Sequence, residues 1–424
     1  MKLRLILSLV SITIFSFAEQ PQTNREKCAF IQHLDNQKLK DANLSQRIID
    51  DENMLQNFIV NPSISRISNQ VYTIPVVVHV VYKTNSQNIS DAQVQSQIDV
   101  LNQDFARLNA DTTSTPSGFV SIASATNFQF CLAQQDPSGI ATNGIERRQT
   151  TVQTFQPNDD MKDYSTGGLN AWDVNNYLNI WVCNIGSNIL GFGELPTSMH
   201  SNTYGVVLAY SAFGKMGTAT YPYNLGRTCT HEISHCFRLY HIWGDDGGTC
   251  SGSDYVNDTP NQGDATFGCL TYPATDNCNS TANGINFSNY MDYSDDNCLN
   301  MFTKNQASRM FTAVNSYYST LFTSKVCQSP VEVEDTPADF TFSIYPNPSS
   351  TGLFNLDMFT TSNIGASINV KVVDVLGKII LEKQILNPAG NVHFLDLSNV
   401  TSGLYFVSVY NDDYKKTERI TVTR

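Results

Sequence analysis

From Tyr72 the chain carries YTIPVVVHVVY, an almost unbroken apolar, β-branched run of the kind found in strands buried on both faces. The next segment, SDAQVQSQIDVLNQDFARLN, spaces Val94, Ile98, Leu101, Phe105 and Leu108 by fours and threes behind Ser90. It predicts an amphipathic helix with Ser90 as its N-cap. Further strands are predicted at 128–133, 178–183 and 206–210, so helices and strands alternate around a mixed sheet. Upstream, residues 19–66 are polar, with helix-like stretches; Leu39, Leu44, Ile48, Ile49 and Leu55 recur there, too few to build an independent core. A propeptide is the natural reading.

The ends of the chain have their own patterns. Residues 1–18 place Lys2 and Arg4 before an apolar run from Leu5 to Phe17, with Ser16 and Ala18 as small residues before a cut. The run is shorter than the roughly 20 residues that span hydrocarbon, so a secretory signal peptide is expected rather than an anchor. Residues 328–339 (QSPVEVEDTPAD) combine prolines with acidic residues and read as a linker. Beyond it, 340–424 shows short alternating strands at 367–373, 404–410 and 418–422 between PNP, LGK and TSG turn signals, the pattern of a small β-sandwich. The expected organisation is signal peptide 1–18, propeptide 19–66, main domain 67–327, linker 328–339 and C-terminal sandwich 340–424.

Charge and cysteine content narrow the function. Acidic residues number 39 against 26 basic ones, a formal net charge of −13, which argues against a nucleic-acid binder with a basic face. An exported chain can form disulfides, and Cys250, Cys269, Cys278 and Cys298 crowd a stretch rich in Gly, Asn, Asp and Ser where a hydrophobic core is hard to build. Two bridges are expected among them, in any of three pairings. Cys131, Cys183, Cys229, Cys236 and Cys327 suggest no partners, and Cys229 and Cys236 lie two helical turns apart, too far for a strain-free bridge.

The chemistry concentrates in HEISHCFRLYH. His231 and His235 stand four apart, on one face of a helix, where both imidazoles reach one metal ion with Glu232 beside them; His241 supplies a third nitrogen. Three neutral imidazoles and an open fourth position describe a catalytic zinc rather than a structural one, which four protein ligands would close.

With Asn289–Cys298 (NYMDYSDDNC), FQFCLAQQDPSG, YLNIWVCNI and FTKNQASRM, these residues make the chain resemble the metzincin zinc endopeptidases, and within them the pappalysin (cytophagalysin, ulilysin-like) group, over most of residues 72–327. The resemblance implies an α+β zincin domain and a zinc-activated water with Glu232 as general base. It further implies Met291 of the Met-turn as an apolar floor under the imidazoles, and Tyr293 as a stabiliser of the oxyanion. A peptide substrate would lie along an exposed sheet edge, the 190–195 segment. Asp295 and Asp296 would line the pocket beyond the scissile bond and favour Arg or Lys there. One position departs from the pattern: Arg238 stands where the family has a glycine, at a cost on the order of 1–2 kcal/mol if the backbone is left-handed.

The same resemblance implies calcium in GDDGGTCSGSDYVNDTP, with Asp254, Asp258 and Thr259, alongside Asp245 and Asp246, as oxygen donors. It implies the bridges Cys250–Cys278 and Cys269–Cys298. It also implies latency, with the Cys28 thiolate of the propeptide as fourth zinc ligand and activation by a cut near Ser65–Arg66. The tail resembles the C-terminal sorting domain of type IX secretion cargo, through 345–348 (YPNP), 375–378 (VLGK) and 403–405 (GLY). The expected protein is a secreted zinc endopeptidase, made as a latent zymogen and acting on proteins or peptides. It would be handled by the type IX machinery and located outside or on the outer-membrane surface of a Gram-negative bacterium, with no nucleic-acid partner and no transmembrane segment in the mature form. The alternative is a catalytically silent zinc-binding surface or adhesion protein.

Overall fold

In a computed structural model the described residues are 27–60, 70–186, 189–329, 340–360, 367–375, 377–386, 392–411 and 415–424. The signal peptide, the Ser65–Arg66 site, Leu376 and most of the linker lie outside them. The chain divides into two compact units, Met1–Cys327 and Gln328–Arg424.

The first unit opens with two helices, α1 (Phe30–Lys40) and α2 (Leu44–Val60). Asp41 is extended and ends α1. Next come β1 (Tyr72–Tyr82) and α3 (Asp91–Phe105), whose Ser90 hydroxyl accepts from Gln93 N at 3.1 Å as the N-cap reading requires. The periodicity runs on to Leu108 but the helix does not: Arg107 is left-handed (φ 52) and Leu108 is 75% exposed.

The remaining elements are β2 (Ala123–Ser124), β3 (Phe128–Leu132), β4 (Ile145–Gln149), β5 (Leu178–Cys183), β6 (Gly191–Gly193), β7 (Gly205–Ala209), α4 (Arg227–Cys236), β8 (Phe302–Thr303) and α5 (Lys304–Tyr317). The main sheet has the order β3-β1-β5-β7-β6. β3 and β4 share one side of β1, pairing with Tyr72–Val76 and Val78–Tyr82 in turn. All these pairings are parallel except that of the short edge strand β6 with β7. Burial of β1 on both faces, with Val76, Val77, Val78 and Val80 all fully covered, explains why its sequence does not alternate.

Three disulfides hold this unit: Cys250–Cys278, Cys269–Cys298, and Cys131–Cys327, which the sequence left unpaired. The last joins β3 to the end of the unit across 196 residues, a separation at which nothing local signals partnership. Cys28, Cys183, Cys229 and Cys236 are free and buried.

The named strands of the second unit pair antiparallel. β9 (Phe340–Tyr345), β10 (Leu353–Thr360) and β13 (Val392–Asp396) form one sheet; β11 (Ser367–Asp374), β12 (Ile379–Leu386), β14 (Gly403–Tyr410) and β15 (Lys415–Val422) form the other. Phe354 and Leu356 from the first sheet meet Val370, Val372, Val407 and Val409 from the second, the inner faces of a sandwich.

Candidate active site

Helix α4 packs on β6, β7 and α3. Two glycines of the edge strand permit the approach: a Cβ at Gly193 would lie 2.5 Å from Glu232 O, and one at Gly191 would lie 2.8 Å from Glu232 Cγ. The GFG sequence is thus a packing signal that hydrophobic patterning does not register. On the opposite side, Thr230 of α4 donates to Asp104 of α3 at 2.7 Å, and Arg227 is paired with the same carboxylate.

His231 and His235 project from one face of α4, and the chain then reverses so that His241 returns to them. His235 Nε2 lies 3.2 Å from both His231 Nε2 and His241 Nε2. Each ring spends its other nitrogen elsewhere: His231 Nδ1 donates to Tyr290 O at 2.7 Å, His235 Nδ1 to Leu239 O at 2.8 Å, and His241 Nδ1 to Asp245 Oδ1 at 2.7 Å. With the proton on Nδ1 in each ring, as those three acceptors require of the neutral tautomer, the three Nε2 lone pairs converge on one point. Such an arrangement is repulsive by itself and becomes favourable around a cation, and imidazole donors oriented through Nδ1 suit zinc. Burial, before anything else, holds His231 and His235 well below the ordinary imidazole pKa, which keeps both rings neutral and able to coordinate.

Cys28 joins this cluster from the N-terminal segment. Its ligating atom and those of the three histidines all lie within 4.8 Å of one another. The thiol is 3.6 Å from His235 Nε2 and donates to Glu232 Oε2 at 3.2 Å. Around it, residues 27–29 extend β6 in the parallel sense, with Ala29 N to Gly191 O at 2.9 Å and Leu190 N to Lys27 O at 2.8 Å. Phe30 then stacks on the His235 ring at 4.0 Å. The sheet edge expected to take a substrate is thus covered by the chain's own segment.

Glu232 is buried, its Oε1 has no hydrogen-bond partner, and burial raises its carboxyl pKa to about 8. Tyr293 places its phenol 3.3 Å from His241 Nε2 and donates to Cys28 O at 3.3 Å. Burial, then the Cys28 and Glu232 charges, push the phenol up, so it is a protonated donor near neutral pH. Met291 is fully buried in the core behind the site, its N–H accepted by Asn289 Oδ1 at 2.9 Å. The Met-turn is tied to α4 by the His231–Tyr290 bond described above.

A cavity beside Glu232 is lined by Lys27 together with Leu190, Tyr223, Asp292, Ser294 and Asp296. The Lys27 ammonium donates to Ser294 O at 2.8 Å and to Tyr293 O, lies over the Tyr223 ring at 4.3 Å, and approaches Asp295 at 4.0 Å. Sequence reasoning passed over Lys27, although its position directly before Cys28 was a usable signal.

The acidic loop is divided among several tasks. Asp245 orients His241, and Asp246 accepts from the Ser251 and Gly252 amides, both at 2.6 Å. Asp258 caps α5, accepting from Thr303 Oγ1 at 2.6 Å and Asn305 N at 3.0 Å. Thr259 Oγ1 donates to Asp254 Oδ2 at 2.7 Å, and burial raises the Asp254 carboxyl to about 7.

Comparison with known proteins agrees with this geometry. The family described as Pregnancy-associated plasma protein-A, a peptidase family, matches residues 163–315, and the secretion system C-terminal sorting domain matches 343–423. An extracellular metalloprotease of Arthroderma otae is 30% identical over 253 residues, 58% of this chain and 78% of that protein. One from Pyricularia oryzae is 32% identical over 243 residues, covering 56% and 73%. Among solved structures, a Tannerella forsythia promirolysin mutant is 45% identical, with a TM-score of 0.64 over 70% of this chain and 96% of that one. Mature mirolysin from the same organism, in complex with a cleaved peptide, is 50% identical with a TM-score of 0.57, over 59% of this chain and 94% of that one. With three convergent histidines on the α4 scaffold and relatives of this extent, the chain belongs to the pappalysin family of metallopeptidases and carries a secretion-system C-terminal sorting domain.

Proposed function

We propose that the chain is the latent precursor of a zinc-dependent endopeptidase in which His231, His235 and His241 hold the ion and Glu232 is the general base. The observation that carries this reading is the convergence of three Nε2 atoms, each on a ring whose Nδ1 is already spent on an acceptor, beside a buried Glu232 oxygen that has no partner. A zinc ion held there supplies Lewis acidity to the scissile carbonyl and to an attacking water. Glu232 takes that water's proton and passes it to the leaving amine. Tyr293 donates its phenolic proton toward the carbonyl oxygen as negative charge develops on it. Met291 backs the histidines from the core. The substrate backbone pairs with β6 once residues 27–29 have left, and its side chain beyond the scissile bond enters the pocket that Lys27 lines. A lysine seated there beside Asp295 and Asp296 supports a preference for Arg or Lys at that position.

In the precursor, residues 19–66 act as the propeptide and Cys28 as the fourth ligand, so the thiol excludes water from the open position. Cutting near Ser65–Arg66 releases it. Calcium is the second proposed ion: a cation would offset the burial that Asp254 suffers, and Thr259 stands within reach of the same site, while Asp258 already serves α5. The sorting tail supports export by the type IX system after removal of 1–18, to the exterior or outer surface of a Gram-negative cell. No helix among the described residues is long and apolar enough to cross a membrane.

The test compares casein or gelatin cleavage by the processed chain and by its Glu232→Ala form, with bound zinc measured in both. The reading requires cleavage by the first alone, at equal zinc. Zinc bound without cleavage in either would favour the silent surface protein instead.

A further inference from the structure

Arg238 occupies the motif position that favours glycine, and its backbone is left-handed (φ 67), a conformation costly for any residue with a Cβ. Its side chain is not solvated: it is wholly buried and reaches away from the histidines toward α2. Nε donates to Glu52 Oε2 at 3.3 Å, one terminal nitrogen to Pro196 O at 2.5 Å and the other to Ile48 O at 3.0 Å. Arg309 of α5, also buried, clasps the same carboxylate through both terminal nitrogens at 2.7 Å, and its Nε donates to Arg238 O at 2.8 Å. Two guanidinium groups thus share one carboxylate, with Tyr317 beside the first and Tyr240 and Tyr255 beside the second, each 5.5 Å from ring centroid to charge. Burial alone would raise the Glu52 pKa; the arginines outweigh it and hold the carboxyl below its ordinary value.

Glu52 belongs to the N-terminal segment, whereas both arginines belong to the body of the unit. Flanking contacts run the same way, with Ser198 N donating to Asp51 at 2.9 Å and Gln56 donating to Tyr255 O at 3.3 Å. Removing Glu52 would leave two adjacent buried cations facing one another, so the site demands an anion in a way a single surface ion pair does not.

We infer that Arg238 and Arg309 form a carboxylate-binding site, separate from the histidine cluster, whose ligand is Glu52 and which retains residues 27–60 on the unit after Cys28 has left the histidines and the chain has been cut downstream. This rests on the reading of 19–66 as a propeptide. It gives the departure from glycine a purpose: the cost of the left-handed arginine is offset by a second attachment point that the thiol does not provide. Cutting is then insufficient for activation, and release of Glu52 becomes a separate step.

The experiment uses the full-length chain carrying Glu232→Ala, cut between α2 and β1 by an added protease, with the fraction of segment still attached followed by size exclusion and mass spectrometry. Cys28→Ala should leave the segment bound. Adding Glu52→Gln, on the segment, should speed its loss by about tenfold or more; Arg238→Gly, on the body, should speed it in the same direction but less, because Arg309 still holds Glu52, and the two together should fall short of the sum of their separate effects, since they share the Glu52 carboxylate. Because the variants lie on opposite sides of the contact, whichever folds with normal zinc content decides the matter. Loss at the Cys28→Ala rate in both overturns the site. The readout involves no proteolysis by the chain, so absence of peptidase activity would leave this result legible.

Discussion

The Cys28 thiol donates to Glu232 Oε2 at 3.2 Å, across 204 residues of sequence, while standing 3.6 Å from His235 Nε2. One side chain from the N-terminal segment therefore engages both the carboxylate and a histidine of the same cluster. On the proposed reading the block would be double: the thiol would take the position of a water and also an oxygen that would receive its proton.

Cys28→Ala should therefore let the uncut chain hydrolyse a small fluorogenic peptide, at a rate below that of the processed enzyme because residues 27–29 still pair with β6 and Glu52 is still held. An uncut variant as silent as the parent would show that the thiol is not the latch.

In the proposed mechanism Tyr293→Phe would remove one donor to the developing charge and none of the proposed zinc ligands. The expected loss is about 100-fold in kcat, with KM and zinc content little changed. A drop confined to KM would reassign the tyrosine to substrate binding.

Asp245→Ala frees His241 to rotate, since the Nδ1 bond of 2.7 Å is what aims its Nε2 inward. Losing such a partner should weaken zinc binding by about 10–100-fold, measurable by competition with a chelator. Asp246→Ala, which disturbs only loop amides, serves as the comparison and should leave zinc affinity close to that of the parent.

Acid should loosen the N-terminal segment through Asp159. His33 and Lys40 of the segment meet this carboxylate at 2.9 and 3.3 Å, together with Lys162 of the body at 3.3 Å. Burial raises its pKa, but these partners outweigh burial and hold it far below the carboxylate range. A depressed folded pKa adds stability at all pH values above the unfolded one, about 3.9, and that stability is lost as pH falls below it. Retention of the cut segment should thus be constant near neutrality and fall below about pH 4, and Asp159→Asn should weaken it already at neutral pH. Equal retention by Asp159→Asn and the parent at neutral pH would remove this carboxylate from the docking surface.

Much of the fold was legible because its signals are local. The apolar run of β1, the Ser90 cap with its four-and-three spacing, and the i, i+4 pair His231 and His235 each report geometry set within a few residues of chain. Local reasoning failed where a local pattern was overruled: Leu108 continues the helical spacing, yet Arg107 turns left-handed and the helix stops at Phe105. Arg238 could be seen to break a motif, but not why, because its reason lies 186 residues away in Glu52.

By itself, then, the sequence determined the main elements and the clustering of His231 and His235 beside Glu232, since helical and strand periods convert spacing directly into direction. Only the tertiary structure decided that Cys131 meets Cys327, that Gly191 and Gly193 let the edge strand press on α4, that Lys27 lines a pocket with Asp292 and Asp296, and that Glu52 is shared by two arginines. Those pairings join residues far apart in the chain, and a contact of that kind is chosen by which surfaces pack together, a property that no window of sequence contains.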